Sequence, residues 1–204
     1  MNTKSIRNDW KLIESLIQDK SKVLDIGCGE GGLINQLEIN IDADTRGIEI
    51  DPKLARKAIA SGFNVVEGNA EKDLSQYSNQ SFDYVILSQT LQAMIKPKDM
   101  LIELLRIGNK AIVSFPNFGH WKIRSQLMLN GRMPITQNLP YTWYDTPNIH
   151  FFTIKDFQQL CKELNIIIER SIGLTSSGNQ FIIKENSFGT NLFTREAIFL
   201  LSYK

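Results

Sequence analysis

A short apolar run that passes directly into a glycine-rich turn limits the fold more than any other stretch. Residues 22–32 read KVLDIGCGEGG, and Val23 and Ile26 belong to a run typical of a strand covered on both faces. Gly27 and Gly29 allow backbone angles and a close approach that a Cβ atom would block. Such a turn presents backbone N–H groups at the start of a helix, where a ligand can bind. The sequence therefore predicts an α/β fold with a ligand site at this turn.

The spacing of the glycines fits two kinds of nucleotide ligand. Gly27, Gly29 and Gly32 match the dinucleotide fingerprint G-x-G-x-x-G, and Glu49 follows 22 residues after Gly27 (49 − 27). Asp25 favours the other ligand, because a carboxylate two residues before the turn would repel a pyrophosphate. S-adenosylmethionine has no phosphate, and its ammonium and sulfonium groups are cationic. We therefore expect S-adenosylmethionine, or S-adenosylhomocysteine, as the cofactor.

The sequence LDIGCGEG at 24–31 resembles the first motif of the class I S-adenosylmethionine-dependent methyltransferases. The resemblance implies a Rossmann-like fold with a mostly parallel seven-stranded sheet, an antiparallel last strand and helices on both faces. It also gives Glu49, at the end of the second predicted strand, the role of binding both ribose hydroxyls. The expected cofactor-binding residues are Asp25, Gly27, Cys28, Gly29, Glu49, Asn69, Ala70, Ser88 and Gln89.

Two pairs of these residues keep a purely structural alternative. Asn69 and Ala70 stand where the resembled family usually has Gly-Asp-Ala beside the adenine ring. The Asn69 amide can donate to and accept from the adenine edge, but this stretch also reads as a simple turn. Ser88 and Gln89 end the fourth predicted strand, next to the transferred methyl group in the resembled fold. They either line the site or form only the polar end of a buried strand.

Composition limits the partners and the environment. The chain has 204 residues, and we expect a single domain over 1–204. Lys+Arg 23 against Asp+Glu 22 gives no electrostatic signature of nucleic-acid binding. Apolar runs such as 197–201 are too short to cross a bilayer, and the N-terminus has no hydrophobic signal core. Because Cys28 and Cys161 do not suggest a disulfide framework, we expect a cytoplasmic protein. From the balanced charge and the short apolar runs, we expect no nucleic-acid partner and no membrane partner.

Residues 116–150, which we call the insert, differ from the rest of the chain because much of the segment lacks periodicity. Its aromatic and imidazole side chains include His120, Trp121, Tyr141, Trp143, Tyr144 and His150. A segment of this length usually serves as a lid or a binding surface. The alternative is a loop that folds back and fills a small core of its own. Two histidines and Asp145 are too few for a metal site, so we expect none.

The start of a helix can be predicted at two further places. Asp51 followed by Pro52 is typical of an N-cap and a first helical residue. Thr153 and Asp156 have the spacing of a capping box. A leading helix is expected from apolar residues at helical spacing over 6–17.

Four runs of sequence carry a closer resemblance. They are FDYVILSQTLQA at 82–93, IVSFPNFGHW at 112–121, GRMP at 131–134, and LPY with WYDTPNIH between 139 and 150. They are similar to the methionine biosynthesis protein MetW family, and the resemblance extends over nearly the whole chain from about Val23. It implies a bacterial cytosolic protein that works with the homoserine O-acyltransferase MetX. It supplies no methyl acceptor.

Two functions remain open at this point. In the first, the protein binds S-adenosylmethionine or its demethylated product and activates the acyltransferase through the insert. In the second, it is a genuine small-molecule methyltransferase, because transfer from a sulfonium needs little beyond an aligned nucleophile in a dry pocket. The catalytic candidates are then His120, Tyr144 and Asp145, with His120 as the base for a nucleophile that must lose a proton.

Overall fold

The computed structural model describes residues 8–136, 139–184 and 188–203. The strands are β1 Lys22–Ile26, β2 Asp44–Glu49, β3 Val65–Glu67, β4 Phe82–Ser88, β5 Gly108–Pro116, β6 Ile167–Leu174, β7 Gln180–Ile182 and β8 Glu196–Ser202. The α-helices are α1 Asn8–Glu14, α2 Gly32–Ile41, α3 Pro52–Ala60, α4 Ala70–Asp73, α5 Pro97–Ile107, α6 Trp121–Asn130, α7 Ile154–Glu163 and α8 Phe188–Phe193. Single 3₁₀ turns occupy Leu74–Gln76 and Leu91–Ala93.

The strands form one sheet in the order β3-β2-β1-β4-β5-β8-β6-β7. β1 to β5 pair in parallel, whereas β8 lies antiparallel between β5 and β6. The mostly parallel sheet and the antiparallel last strand are as predicted. The predicted number of seven strands is wrong, because the described residues form eight.

The additional strand, β7, is an edge strand that pairs antiparallel with β6. This strand is difficult to predict from sequence, because three residues are too few to show an alternation of apolar and polar side chains. Gly173 lies opposite Phe181 across this pair, and a Cβ atom on Gly173 would come within 2.7 Å of the Phe181 ring. The ring therefore covers the glycine backbone, which fixes the register of the hairpin.

Helices cover both faces of the sheet, and the alternation of side chains along each strand decides which face each residue joins. Leu24 packs into the core cluster that includes Leu104 of α5 and Phe157 of α7. Its neighbour Val23 packs into the cluster on the other face, with Leu37 of α2. This two-sided burial explains why the parallel strands read as continuous apolar runs.

The insert contains the ten-residue helix α6, which the sequence pattern did not predict. Within the insert, Phe118, Ile123 and Leu139 form a small hydrophobic core. A segment that fills a small core of its own was one of the two alternatives expected for the insert. The end of the insert is tied to the turn after β4, because the Gln92 carbonyl accepts the N–H groups of Ile149 (2.8 Å) and His150 (3.0 Å). Within the described parts of the chain, no helix is both long and apolar enough to span a membrane.

Candidate functional site

The turn between β1 and α2 has the geometry that its glycines predict. Gly27, Gly29 and Gly31 have φ angles of 74°, 59° and 82°, in the left-handed region that favours glycine. The Gly27 N–H donates to the Ile48 carbonyl at 2.8 Å, which fixes the turn against β2. A Cβ atom on Gly31 would lie 2.5 Å from the Phe63 ring, so the backbone also has no room for a side chain there.

The two acids that the sequence singled out lie at the same edge of the sheet. Asp25 on β1 is 3% exposed, and Glu49 at the end of β2 is 6% exposed. Glu49 accepts the Gly29 N–H through Oε2 at 2.7 Å and the Asp51 N–H through Oε1 at 2.8 Å. Each carboxylate oxygen has a second lone pair, so these bonds leave Glu49 able to accept hydroxyl groups as well.

A cavity of about 590 Å³ opens over the glycine turn. Its walls are Trp10, Asp25, Gly27, Cys28, Gly29, Glu30, Gly31, Gly32, Leu33, Asn35, Ser61, Phe63 and Ser88. The volume lies within the range of sites for small molecules and cofactors. The predicted residues Asp25, Gly27, Cys28, Gly29 and Ser88 therefore come together around one space.

Several wall residues were not predicted as site residues. Trp10 was expected only as part of the leading helix, and it does lie in α1. Its ring also packs against Gly32, so closely that a Cβ atom on Gly32 would lie 2.4 Å from the ring. Phe63 approaches Gly31 in the same way. Both contacts join residues far apart in sequence, so local periodicity carries no signal for them.

The electrostatics of the cavity keep its cysteine protonated. Burial, and then the negative charges of Asp25 and Glu49, raise the pKa of the Cys28 thiol to about 12. Because the thiolate is the nucleophilic form, Cys28 is not a nucleophile near neutral pH. Its sulfur instead fills the space beside Gly47, where a Cβ atom would lie 2.6 Å from Sγ.

Asn69 and Ala70 have structural roles in the described residues. Asn69 is the N-cap of α4, and its Oδ1 accepts the Glu71 N–H at 3.0 Å. Ala70 is 8% exposed and belongs to the main core cluster. Asn69 therefore begins a short helix, and adenine binding by Asn69 stays a prediction.

Ser88 and Gln89 lie where β4 ends beside β5. Ser88 Oγ contacts Asp9 Oδ2 at 3.4 Å and Ser114 Oγ at 3.2 Å, and Ser88 lines the cavity. Gln89 has a φ of 56°, an uncommon angle for a residue with a side chain. Its N–H donates to the Ser114 carbonyl at 2.9 Å, and its side-chain amide donates to Glu196.

The three catalytic candidates do not line this cavity. His120 is 3% exposed and caps α6, where Nδ1 accepts the Lys122 N–H at 3.3 Å. Burial, followed by the charges of Lys122 and Arg195, lowers the pKa of His120 below its usual value. Tyr144 is 68% exposed, and the Asp145 carboxylate accepts the Thr142 hydroxyl at 3.1 Å. The part of the chain that the structure describes contains no cluster of three or more potential metal ligands.

The strand order, the glycine turn and the acids at the carboxyl ends of β1 and β2 define the class I S-adenosylmethionine-dependent methyltransferase fold. An S-adenosylmethionine-dependent methyltransferase from Thermotoga maritima, described as a possible histamine N-methyltransferase, has a similar structure, with a TM-score of 0.70 and 18% identity over 97% of this chain and 88% of that one. Another, from Methanosarcina mazei, gives a TM-score of 0.65 and 19% identity over 94% and 96% of the two chains. Similarity at this level of identity establishes the fold.

The sequence narrows the class further. The family model described as methionine biosynthesis protein MetW matches residues 7–201. The chain therefore belongs to the methionine biosynthesis protein MetW family. A relative from Rhodopirellula baltica, named bifunctional methionine biosynthesis protein MetXA/MetW, is 31% identical over 195 residues. That match covers 91% of this chain but only 31% of the relative, which is a much longer protein.

Proposed function

We propose that this protein binds S-adenosylmethionine or S-adenosylhomocysteine over the glycine turn and, in response, acts with a homoserine O-acyltransferase in methionine biosynthesis. Asp25 would hold the ammonium group of the ligand and Glu49 its ribose hydroxyls. Ser88 would border the sulfur end. When bound, S-adenosylmethionine supplies an activated methyl group, and these three side chains hold and orient the molecule that carries it.

The observation that carries the ligand assignment is the position of two buried carboxylates beside one glycine turn. Two buried carboxylates at one turn create a negative potential. That potential opposes a dianionic pyrophosphate and attracts a ligand with a cationic end. The bond from the Gly29 N–H to Glu49 also directs that N–H to a protein carboxylate. In a pyrophosphate site, the backbone N–H groups of the turn point at the phosphates.

The association with an acyltransferase is supported by the family and by the relative from Rhodopirellula baltica, whose name joins MetXA and MetW. We infer that the acyltransferase contacts the insert of this chain in the cytoplasm. A protein that binds an end product of the pathway can adjust the acyltransferase to supply, provided that the ligand favours one state of the complex.

The placement of the catalytic candidates favours this function over methyl transfer to a small molecule. His120 uses Nδ1 to cap a helix, and its lowered pKa makes it a weaker base than an exposed histidine. Tyr144 and Asp145 lie on the exposed part of the insert. Methyl transfer to a small molecule would need an acceptor group at the Ser88 end of the cavity.

Calorimetric titration with S-adenosylmethionine, S-adenosylhomocysteine and NAD tests the ligand. Glu49→Gln is expected to weaken S-adenosylhomocysteine binding by at least about tenfold, because the ribose loses a charged acceptor. Glu67→Gln is the matched control, since Glu67 is the register neighbour of Glu49 on β3 but is exposed. Binding of NAD alone, or an equal loss in both variants, would contradict the ligand assignment.

The acyltransferase half of the proposal needs a separate assay. Purified homoserine O-acyltransferase is assayed with and without this chain, and complex formation is followed by size-exclusion chromatography. We expect a complex and a changed acylation rate that responds to S-adenosylhomocysteine. Unchanged acylation together with no complex would refute the partnership, whatever the ligand titration shows.

A further inference from the structure

Helix α6 is unusual because very little of it is covered. All ten of its residues are described, and only Ile123 is buried. Helices in proteins gain most of their stability from packing an apolar face against the rest of the fold. The residues of α6 that would form such a face lie instead on the outside of the molecule.

Three of these exposed residues, with the half-buried Ser125 between them, form one stripe. At 100° per residue, Trp121, Ser125 and Met128 lie on the side of the helix opposite Ile123, with Leu129 next to them. Trp121 is 44% exposed, Met128 79% and Leu129 77%. We call these four residues the α6 outer face. Exposed Trp and Met side chains at this density are typical of an interaction surface.

The α6 outer face is bordered by positive charge. Lys122 and Arg124 flank the stripe, one on each side, and Arg132 follows the end of the helix. No aspartate or glutamate occurs in the sequence between Glu103 and Asp145. The chain as a whole has a formal net charge of only +1, so this positive border is a local feature.

We propose that the α6 outer face is the docking surface for the acyltransferase, and that the acyltransferase presents there an apolar patch bordered by aspartate or glutamate. This inference rests on the proposed function and adds the location and the chemistry of the contact. The Rhodopirellula baltica name joins the two activities in one chain, which favours the acyltransferase as the occupant.

A second copy of this chain fits the α6 outer face less well. In a two-fold contact the same patch lies on both sides, with residue i against residue j and residue j against residue i. Because the border of this patch carries Lys122, Arg124 and Arg132, its cations would face cations of the second copy, and like charges at an interface are unfavourable. A partner with acidic side chains avoids this repulsion and gains attraction at long range.

The test compares two variants that each introduce a glutamate at an exposed helix position. Met128→Glu places a charge within the α6 outer face and is expected to weaken acyltransferase binding by at least about tenfold. Ile39→Glu is the control, because Ile39 is 73% exposed and occupies the eighth position of the ten-residue helix α2, as Met128 does in α6. Both variants should keep S-adenosylhomocysteine binding, which confirms that they are folded.

A charge reversal tests the positive border separately. Arg132→Glu is expected to slow association with the acyltransferase, and the difference from the wild-type chain should shrink as salt is raised. Equal slowing at low and high salt would refute the acidic border of the partner. The measurement is an association rate at two ionic strengths by surface plasmon resonance.

The outcomes distinguish this inference from the proposed function. If the wild-type chain binds the acyltransferase and Met128→Glu binds equally well, the inference is wrong and the proposed function stands. If the wild-type chain forms no complex, the proposed partnership fails first. If sedimentation shows a dimer that Met128→Glu dissociates, a second copy occupies the α6 outer face and the inference is overturned.

Discussion

At the scale of single residues, the glycine turn excludes side chains for two separate reasons, which are a positive φ angle and a lack of space for a Cβ atom. Substitutions can separate the two. Gly31 has a φ of 82°, and a Cβ atom there would lie 2.5 Å from the Phe63 ring, whereas Gly62 has a φ of 92° and open space around it. Gly62→Ala should cost about 1–2 kcal/mol from backbone strain alone. Gly31→Ala should cost about 1–3 kcal/mol more, because the ring must move.

Urea denaturation of the two alanine variants measures this difference. Equal losses of unfolding free energy in the two variants would mean that the Phe63 ring moves away at no cost. The packing of that ring against Gly31 would then not constrain the turn.

The buried histidine gives a pH dependence with a defined sign. The pKa of His120 is lowered in the folded state by burial and by Lys122 and Arg195, so the unfolded chain takes up the proton first as pH falls below about 6.5. The stability present at pH 7.5 is therefore partly lost by pH 5.5. His120→Asn keeps an N-cap acceptor but removes the titration, so it should lose less stability over this interval.

The free energy of unfolding at pH 7.5 and pH 5.5, from urea titrations of both proteins, tests this prediction. The same decrease in the wild-type chain and in His120→Asn would show that other groups control the acid response.

The local structure of the turn was predictable because its signal is local. The strand and the turn follow from the apolar run and from Gly27 and Gly29, which have positive φ angles, whereas the ligand roles of Asp25, Gly27 and Gly29 stay predictions. His120 was proposed as a base, yet it caps α6, and a cap cannot be recognised before its helix is. The contact of Trp10 with Gly32 was missed for another reason, since it depends on how α1 packs over the turn.

At the scale of elements, the helix with the clearest sequence signal provides the next prediction. Thr153 and Asp156 form the predicted capping box of α7, with the Thr153 N–H donating to Asp156 at 2.8 Å. Thr153→Ala should cost about 1 kcal/mol and Thr153→Ser much less, because serine keeps the accepting oxygen. Thermal unfolding of the two variants measures the difference, and equal stability of alanine and serine would contradict the role of the cap.

Sequence reasoning missed α6, and it indicated β7 only as a short additional strand at 181–183, because neither element has a clear periodic pattern of its own. The apolar residues of α6 lie on two sides of the helix, with Ile123 and Leu127 on one side and Trp121, Met128 and Leu129 on the other, so no single inner face produces a periodic pattern. β7 depends on pairing with β6 and on Phe181 covering Gly173, contacts that no three-residue stretch records. The buried parallel strands were found because both of their faces are apolar.

At the scale of the whole molecule, the cavity over the glycine turn and the end of the insert meet at the turn after β4. Ser88 lines the cavity, and four residues later the Gln92 carbonyl accepts the N–H groups of Ile149 and His150. The Gln92 side chain also donates to the Gln89 carbonyl at 2.6 Å. The cavity wall and the end of the insert are therefore attached to the same short segment of chain.

Ligand binding should be visible as a gain in global stability. If S-adenosylhomocysteine binds only the folded chain, a concentration of 100 times its dissociation constant adds about 2.7 kcal/mol to the free energy of unfolding. In Glu49→Gln, the gain at the same ligand concentration should fall to about 1.4 kcal/mol or less, because tenfold weaker binding leaves the ligand at only about 10 times the variant's dissociation constant. Thermal denaturation with and without the ligand tests this, and an equal gain in both proteins would place the ligand away from Glu49.

The crystal structure of this chain with S-adenosylhomocysteine tests the central claim most directly. We predict the ribose hydroxyls within hydrogen-bonding distance of Glu49, and the ammonium group beside Asp25, with the nucleoside lying across Gly27 to Gly29. Nucleoside density elsewhere in the molecule, or a crevice that stays empty at saturating ligand, would contradict it.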